Sequence, residues 1–304
     1  MEKRILGSLE VSVVGIGCNN FGWRIDAAST AKVVDAALDA GINFFDTADI
    51  YAKGESEQFL GKALGPRRNQ IVLATKFGLP MDDQRKGAKP AYIKQAIEDS
   101  LRRLNTDHID LYQLHKPDPD TPIADTLAAL DQLVKAGKVR EIGCSNFSAE
   151  QIREAEAAVK AGAARFVSVQ NDYSMLNRAP ELDVLPECLR SSLGFIPYFP
   201  LANGLLTGKY RKGQSHPQGT RGADGWGPKI FTEENLNKVE ALIQFATGHG
   251  HTLLELAISW LLAQPAVASV IAGAKAAEQA RSNAAAPNWK LSPEQLRTVD
   301  QLLH

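Results

Sequence analysis

Cysteine is scarce: the chain of 304 residues holds only Cys18, Cys144 and Cys188, which form no Cys-x-x-Cys pair and leave an odd thiol. That argues against a disulfide scaffold and suits a reducing cytoplasm, with the three thiols as small buried hydrophobes. Charge of one sign is also lacking, since 34 basic residues face 35 acidic ones for a net charge of -1. No basic run of the kind that grips nucleic-acid phosphates or anionic lipid is present, so neither is expected as a partner. No apolar run approaches a membrane span, and Met1 to Gly7 lacks the apolar stretch of a signal peptide. A cytoplasmic protein is expected. No linker or low-complexity segment divides residues 1–304, which read as a single domain.

What is present is repetition. Short β-rich runs recur at Val11 to Ile16, Phe44 to Phe45, Ile71 to Ala74, Leu111 to Leu114, Val139 to Gly143, Phe166 to Val169, Phe195 to Tyr198 and Val267 to Ala272. Helical patterns lie between them, clearest over Ala91 to Leu104, where Ile93, Ala96, Ile97, Leu101 and Leu104 share one face. Such alternation, in a chain somewhat longer than the roughly 250 residues of a typical example, predicts an α/β fold, a (β/α)8 TIM barrel. Lys3 to Val11 around Gly7-Ser8 reads as an N-terminal β-hairpin, and extra C-terminal helices are expected over Glu233 to Thr247, Thr252 to Ala263 and Pro293 to Leu303. Helix starts are marked by Thr121-Pro122, Ser148-x-x-Gln151 and Ser292-Pro293. Gly208 to Pro228, with six glycines, is too irregular for a helix and reads as a lid.

Asp46, Lys76 and His115 each sit just past a separate apolar run, at the strand ends where barrel enzymes work, and Tyr51 follows closely. A phenol with a reference pKa of about 10 is a poor acid near neutral pH. A neighbouring ammonium lowers that value by stabilising the phenolate, and a carboxylate holds the ammonium in place. Tyr51, Lys76 and Asp46 supply those three groups.

With these residues the chain resembles the aldo-keto reductase superfamily. The likeness runs through Asp46-x-x-x-x-Tyr51, Lys76, His115 in Asp-Leu-Tyr-Gln-Leu-His, Gly143-Cys-Ser-Asn-Phe147, Gln170-Asn-Asp-Tyr-Ser174, Pro200-Leu201, Gly204 to Lys209 and Gly273-Ala-Lys275 with Gln279 and Asn283. It implies a carbonyl-reducing oxidoreductase that uses NADP, with NAD as the alternative, and an expected partner that is a small carbonyl or hydroxyl compound. By resemblance Tyr51 is the general acid or base, Lys76 lowers its pKa, Asp46 anchors Lys76, and His115 orients the carbonyl oxygen. Ser145, Asn146 and Gln170 resemble the clamp on the nicotinamide carboxamide, and Tyr198 the ring that stacks on it. By the same resemblance Pro200, Leu201, Gly204, Leu206, Gly208 and Lys209 are expected in the cofactor-binding segment after strand seven. Gly273 and Lys275 precede a helix N-terminus suited to phosphate, with Lys275 available for the 2′-phosphate of NADP. Gln279 stands where many members carry arginine and Ser282 where an acidic residue often meets the adenine, while Asn283 is retained.

Trp23, Phe77 and Trp226 are candidates for an aromatic substrate pocket. Other motifs fail on their own terms. Gly15-Ile-Gly17 has Asn20 where a dinucleotide fingerprint needs glycine, and Gly204 to Lys209 is one residue short of a phosphate loop. His249 and His251 lack a ligand partner at suitable spacing, so no metal is expected. The resemblance extends to channel-associated regulatory subunits that bind the cofactor with little turnover, which is the rival reading.

Overall fold

The computed structural model describes residues 1–225 and 230–303. Two antiparallel strands, β1 (Lys3–Leu6) and β2 (Leu9–Ser12), open the chain and turn through Gly7 at φ +61°. Eight parallel strands follow: β3 (Val14–Gly17), β4 (Phe44–Asp46), β5 (Val72–Phe77), β6 (Ile109–Leu114), β7 (Val139–Ser145), β8 (Phe166–Asp172), β9 (Gly194–Tyr198) and β10 (Val270–Gly273). They pair in the order β10-β3-β4-β5-β6-β7-β8-β9. The ring closes where Phe195 N donates to Ala266 O at 2.7 Å and Ala268 N donates to Phe195 O at 2.9 Å. This is the expected (β/α)8 barrel.

Between the strands run α1 (Ala27–Asp39), α2 (Glu55–Leu64), α3 (Pro90–Leu104), α4 (Ile123–Lys135), α5 (Ala149–Ala158), α6 (Val184–Arg190), α7 (Glu233–Gly248), α8 (Leu253–Leu262) and α9 (Ala277–Ala285), with α10 (Pro293–Leu303) last. α3 buries the face its spacing predicts, and Asn105 ends it in the left-handed region at φ 51°, where asparagine is tolerated. Ser148 and Gln151 form the expected capping box on α5, and Ser292 and Gln295 form another on α10. Among the described residues no helix is long and apolar enough to cross a membrane.

Apolar burial falls into two cores. The outer one lies between strands and helices and includes Val33, Leu60, Ile97 and Leu130. The inner one fills the barrel and joins Phe44, Leu111 and Ile196 to Leu6, Leu9 and Val11 of the hairpin. Each such side chain contributes about 1.5–3 kcal/mol by leaving water. The hairpin thus plugs the floor, and it needs Gly194 there: a Cβ at that position would lie 2.2 Å from Leu6 Cδ1.

Several boundaries differ from the sequence reading, among them β5, which runs on to Phe77, and the following three. The run Val11 to Ile16 is shared between β2 and β3, because the chain leaves the hairpin at Val13 and enters the barrel. Pro122, not Thr121, takes the cap position of α4, and the Thr121 hydroxyl instead donates to Asp118 at 2.8 Å. The last run narrows to β10, its earlier residue Val267 forming a bridge to Phe195.

Candidate active site

The C-terminal strand ends surround a cavity of about 660 Å³. Asp46 ends β4 and Lys76 lies near the end of β5, both buried. Lys76 Nζ donates to Asp46 Oδ2 at 2.5 Å and to Thr47 O at 2.9 Å. Asp46 Oδ1 accepts from Gln113 Nε2 at 3.1 Å and from Gln170 Nε2 at 2.9 Å. Both carboxylate oxygens are therefore occupied, as a buried charge requires. Gln113 was not among the sequence candidates. It lies on β6, two residues before His115, which directly follows the strand, so alternation puts both on the inner face; that spacing was the available signal.

Tyr51 follows β4 on a single 3₁₀ turn, Tyr51–Gly54, in which Ala52, Lys53 and Gly54 all have positive φ (49°, 54° and 97°). Two non-glycine residues in this region carry a conformational cost, and buried polar anchors directly follow the turn. Ser56 Oγ donates to Cys18 O at 2.8 Å, and the buried Glu57 carboxylate bridges Thr75 Oγ1 and Arg103 Nε, each at 2.6 Å. Glu57 thereby ties the first turn of α2 to the strand that carries Lys76. Tyr51 meets the His115 ring edge to face at 5.9 Å, and the Lys76 ammonium lies 5.2 Å from its ring centre.

Electrostatics modify the sequence expectation for Tyr51. Burial raises its pKa above the ordinary tyrosine value; Lys76 opposes the rise without reversing it. Burial acts against the Lys76 ammonium, yet Asp46 and Tyr51 outweigh it and raise the lysine pKa. At neutral pH the site therefore holds a phenol and an ammonium. Burial, with Lys76 and Lys116 nearby, pushes the His115 pKa down to about 3, so the imidazole is neutral and carries one N–H. Its Nδ1 is buried without a hydrogen-bond partner.

Behind Tyr51 lies Asp49, 2% exposed, with no well-formed hydrogen bond at either carboxyl oxygen. Burial, and then the charge of Glu57, push its pKa up to about 7. An unfolded aspartyl titrates near 3.9. The folded chain thus keeps a proton that the unfolded chain releases. Asp49 supports folding fully below about pH 4, and this contribution is lost as pH rises through about 7. Asp49→Asn is accordingly expected to be more stable than wild type at pH 8, by on the order of a few kcal/mol, with the gap closing toward pH 4. Urea denaturation at both pH values measures this; an equal effect at both would remove Asp49 as the titrating group.

On the opposite wall the clamp candidates engage one another. Ser145 Oγ donates to Gln170 O at 2.7 Å, Asn146 Nδ2 to His115 O at 2.9 Å, and Tyr198 OH to Asn146 Oδ1 at 2.8 Å. Asn146 adopts φ 62°, which asparagine tolerates and which ends β7 in a turn toward the cavity. Pro200, Leu201, Gly204, Lys209, Gly273, Lys275, Gln279 and Asn283 also line the cavity. Gln279 Oε1 accepts from Lys275 N at 2.7 Å, and the buried Asn283 Nδ2 has no partner.

Other candidates lie elsewhere. Phe77 is fully buried and stacked on Tyr112 at 4.7 Å, on the helix side of β5, because the strand turns its side chain opposite to Lys76. Leu206 is buried in the outer core, Gly208 is a left-handed cap at φ 81°, and Trp23 is half exposed beneath the Arg24 guanidinium; none of the three lines the cavity. Trp226 lies outside the described residues.

The loop after Gly208 brings further cations. Arg221 Nη1 donates to Asn203 Oδ1 at 2.8 Å, Arg24 pairs with Asp224 at 3.0 Å, and Lys275 Nζ donates to Gly219 O at 2.8 Å. Arg24 and Arg221 were not sequence candidates, since isolated loop arginines carry no pattern. Burial, followed by mutual repulsion, lowers the pKa values of Lys209, Arg221 and Lys275, with Arg24 contributing to each. This cluster of cations, together with the unpartnered Asn283 amide and the N-terminus of α9, suits a polyphosphate nucleotide.

A model of the Aldo/keto reductase family matches residues 13–304. Among solved structures, aldo-keto reductase AKR11C1 from Bacillus halodurans, in its holo form, is similar with a TM-score of 0.83 and 35% identity, over 99% of this chain and 96% of that one. The chain is also 34% identical to a probable voltage-gated potassium channel subunit beta of Arabidopsis thaliana, over 100% of this chain and 97% of that protein. It is likewise 34% identical to the aldo-keto reductase yakc of Schizosaccharomyces pombe (strain 972 / ATCC 24843), whose name specifies NADP(+), over 98% of this chain and 90% of that protein.

Proposed function

Because the chain belongs to the aldo/keto reductase family, and so is an oxidoreductase of carbonyl compounds, we propose that it reduces an aldehyde or ketone to an alcohol with NADPH, or runs the reverse oxidation, with Tyr51 as the proton donor. The observation that carries this reading is the geometry at the strand ends: Tyr51 and His115 meet edge to face at 5.9 Å on the cavity wall, and the Lys76 ammonium, held by Asp46 at 2.5 Å, lies 5.2 Å from the Tyr51 ring centre. Bound NADPH supplies the hydride, which no side chain delivers. As the carbonyl carbon gains that electron pair, negative charge grows on its oxygen. The Tyr51 hydroxyl gives that oxygen a proton, and the His115 N–H donates a hydrogen bond to it; both act more strongly on the transition state than on the ground state. Lys76 stabilises the phenolate left on Tyr51, and Asp46 keeps Lys76 charged.

For the cofactor, Lys209, Arg221, Lys275 and Arg24 would meet phosphates, Asn283 the adenine, Ser145, Asn146 and Gln170 the carboxamide, and Tyr198 the nicotinamide ring. NADP is preferred to NAD because Lys275 adds a charge for the 2′-phosphate. Lys275→Ala is expected to weaken NADP binding by about one to two orders of magnitude, the worth of a charge-assisted contact of roughly 1.5–3 kcal/mol, and NAD binding far less. Dissociation constants for both cofactors check this, and equal losses would remove Lys275 from phosphate recognition.

The channel-subunit relative supports a second reading, a cofactor-binding regulatory subunit with little turnover, but the complete tetrad favours the enzyme. Following NADPH absorbance against aldehydes, ketones and quinones separates the two: saturable binding without turnover on any of them would favour the subunit. One barrel domain in the cytoplasm, where three free buried thiols stay reduced, completes the proposal.

A further inference from the structure

Among the described residues, positive charge on the cavity wall is divided between two places. Arg24, Lys209, Arg221 and Lys275 act on one another and form one group with the loop after Gly208. Lys116 lies apart from that group in the chain and adjoins His115, whose protonation its ammonium opposes. It directly follows His115, lines the same cavity and is exposed. Among the described residues it has neither an ion pair nor a hydrogen bond. The cavity offers it little compensation. Of the two carboxylates among the described residues of the wall, Asp46 is held by Lys76, and Glu278 is on α9, where it pairs with Arg281.

We propose that Lys116 binds an anionic group carried by the substrate, so that the preferred substrates are short aldehydes or ketones bearing a carboxylate or a phosphate. The inference rests on the reading above, in which the carbonyl lies against Tyr51 and His115; a cation that lines the same cavity beside His115 then meets what the carbonyl carries. An ammonium on a flexible stem acts as a point charge and accepts either anion, while a neutral chain gains nothing from it. The anion is bound and not transformed.

Two matched pairs test this: succinic semialdehyde against butanal, and glyceraldehyde phosphate against glyceraldehyde, with wild type, Lys116→Gln and Lys116→Arg. The expected result is that wild type prefers the anionic member of at least one pair, and that the ratio of kcat/KM values within it falls about tenfold in Lys116→Gln, the loss of one charge-assisted contact at an exposed mouth. Lys116→Arg should recover most of the ratio. The pair that responds identifies carboxylate or phosphate as the anion. An unchanged ratio in both pairs overturns the proposal, and so does an equal loss on charged and neutral members, which would mean that Lys116 acts by positioning His115. Binding of 4-hydroxybutanoate and butanol to the NADPH complex, read by tryptophan fluorescence, keeps the two readings apart. A wild type without turnover defeats carbonyl reduction, but hydroxybutanoate selectivity that disappears in Lys116→Gln would still support the anion site.

Discussion

Tyr51→Phe is expected to reduce carbonyl turnover by about 100-fold to 10,000-fold, the usual worth of a positioned acid, while leaving NADPH affinity nearly unchanged. The phenyl ring keeps the edge contact with His115 and its place beside Lys76. Only the hydroxyl is lost, so the effect belongs in kcat and not in cofactor binding. Because burial keeps Tyr51 protonated, wild-type reduction should persist through neutral pH and decline only on the alkaline side, where the phenol ionises. Stopped-flow turnover with a fluorescence titration of NADPH measures both quantities. Near wild-type turnover in the variant, with chemistry limiting the wild-type rate, would remove Tyr51 as the acid.

Lys76→Met should be about as damaging, for a different reason. The ammonium is what opposes the burial-driven rise in the Tyr51 pKa, so its removal moves the alkaline limb of the pH profile upward while lowering the plateau. It also strands the Asp46 carboxylate in a buried site, and breaking a buried pair costs about 3–5 kcal/mol. A Lys76→Met/Asp46→Asn double variant separates the effects, recovering stability without recovering turnover. If both turnover and the pH limb survived in the double variant, Lys76 would be a structural charge only.

How much of this was legible in the sequence depends on what each feature rests on. The barrel follows from eight apolar runs with helical stretches between, and strand-end position made Asp46, Lys76 and His115 candidates without coordinates. Residue identity could not give the sign of the Tyr51 shift, because the outcome is a competition between burial and the Lys76 charge, and burial is a tertiary property. Phe77 was misplaced for a local reason: adjacent residues on a strand face opposite ways, so the neighbour of a cavity-facing lysine points into the outer core. The same alternation would have found Gln113. Arg24 and Arg221 were beyond reach, since only the path of the loop after Gly208 brings them together. Asp49 is similar, a carboxyl that reads as a surface charge until the fold buries it beside Glu57.

The most direct measurement is single-turnover transfer of deuterium from NADPH labelled at the nicotinamide ring, followed by mass spectrometry of the alcohol. Wild type is expected to place one deuterium on the carbinol carbon of an aldehyde substrate, and Tyr51→Phe, saturated with the same cofactor, to transfer it at least about 100-fold more slowly. Saturable NADPH binding with no label transferred to any aldehyde, ketone or quinone would contradict the account.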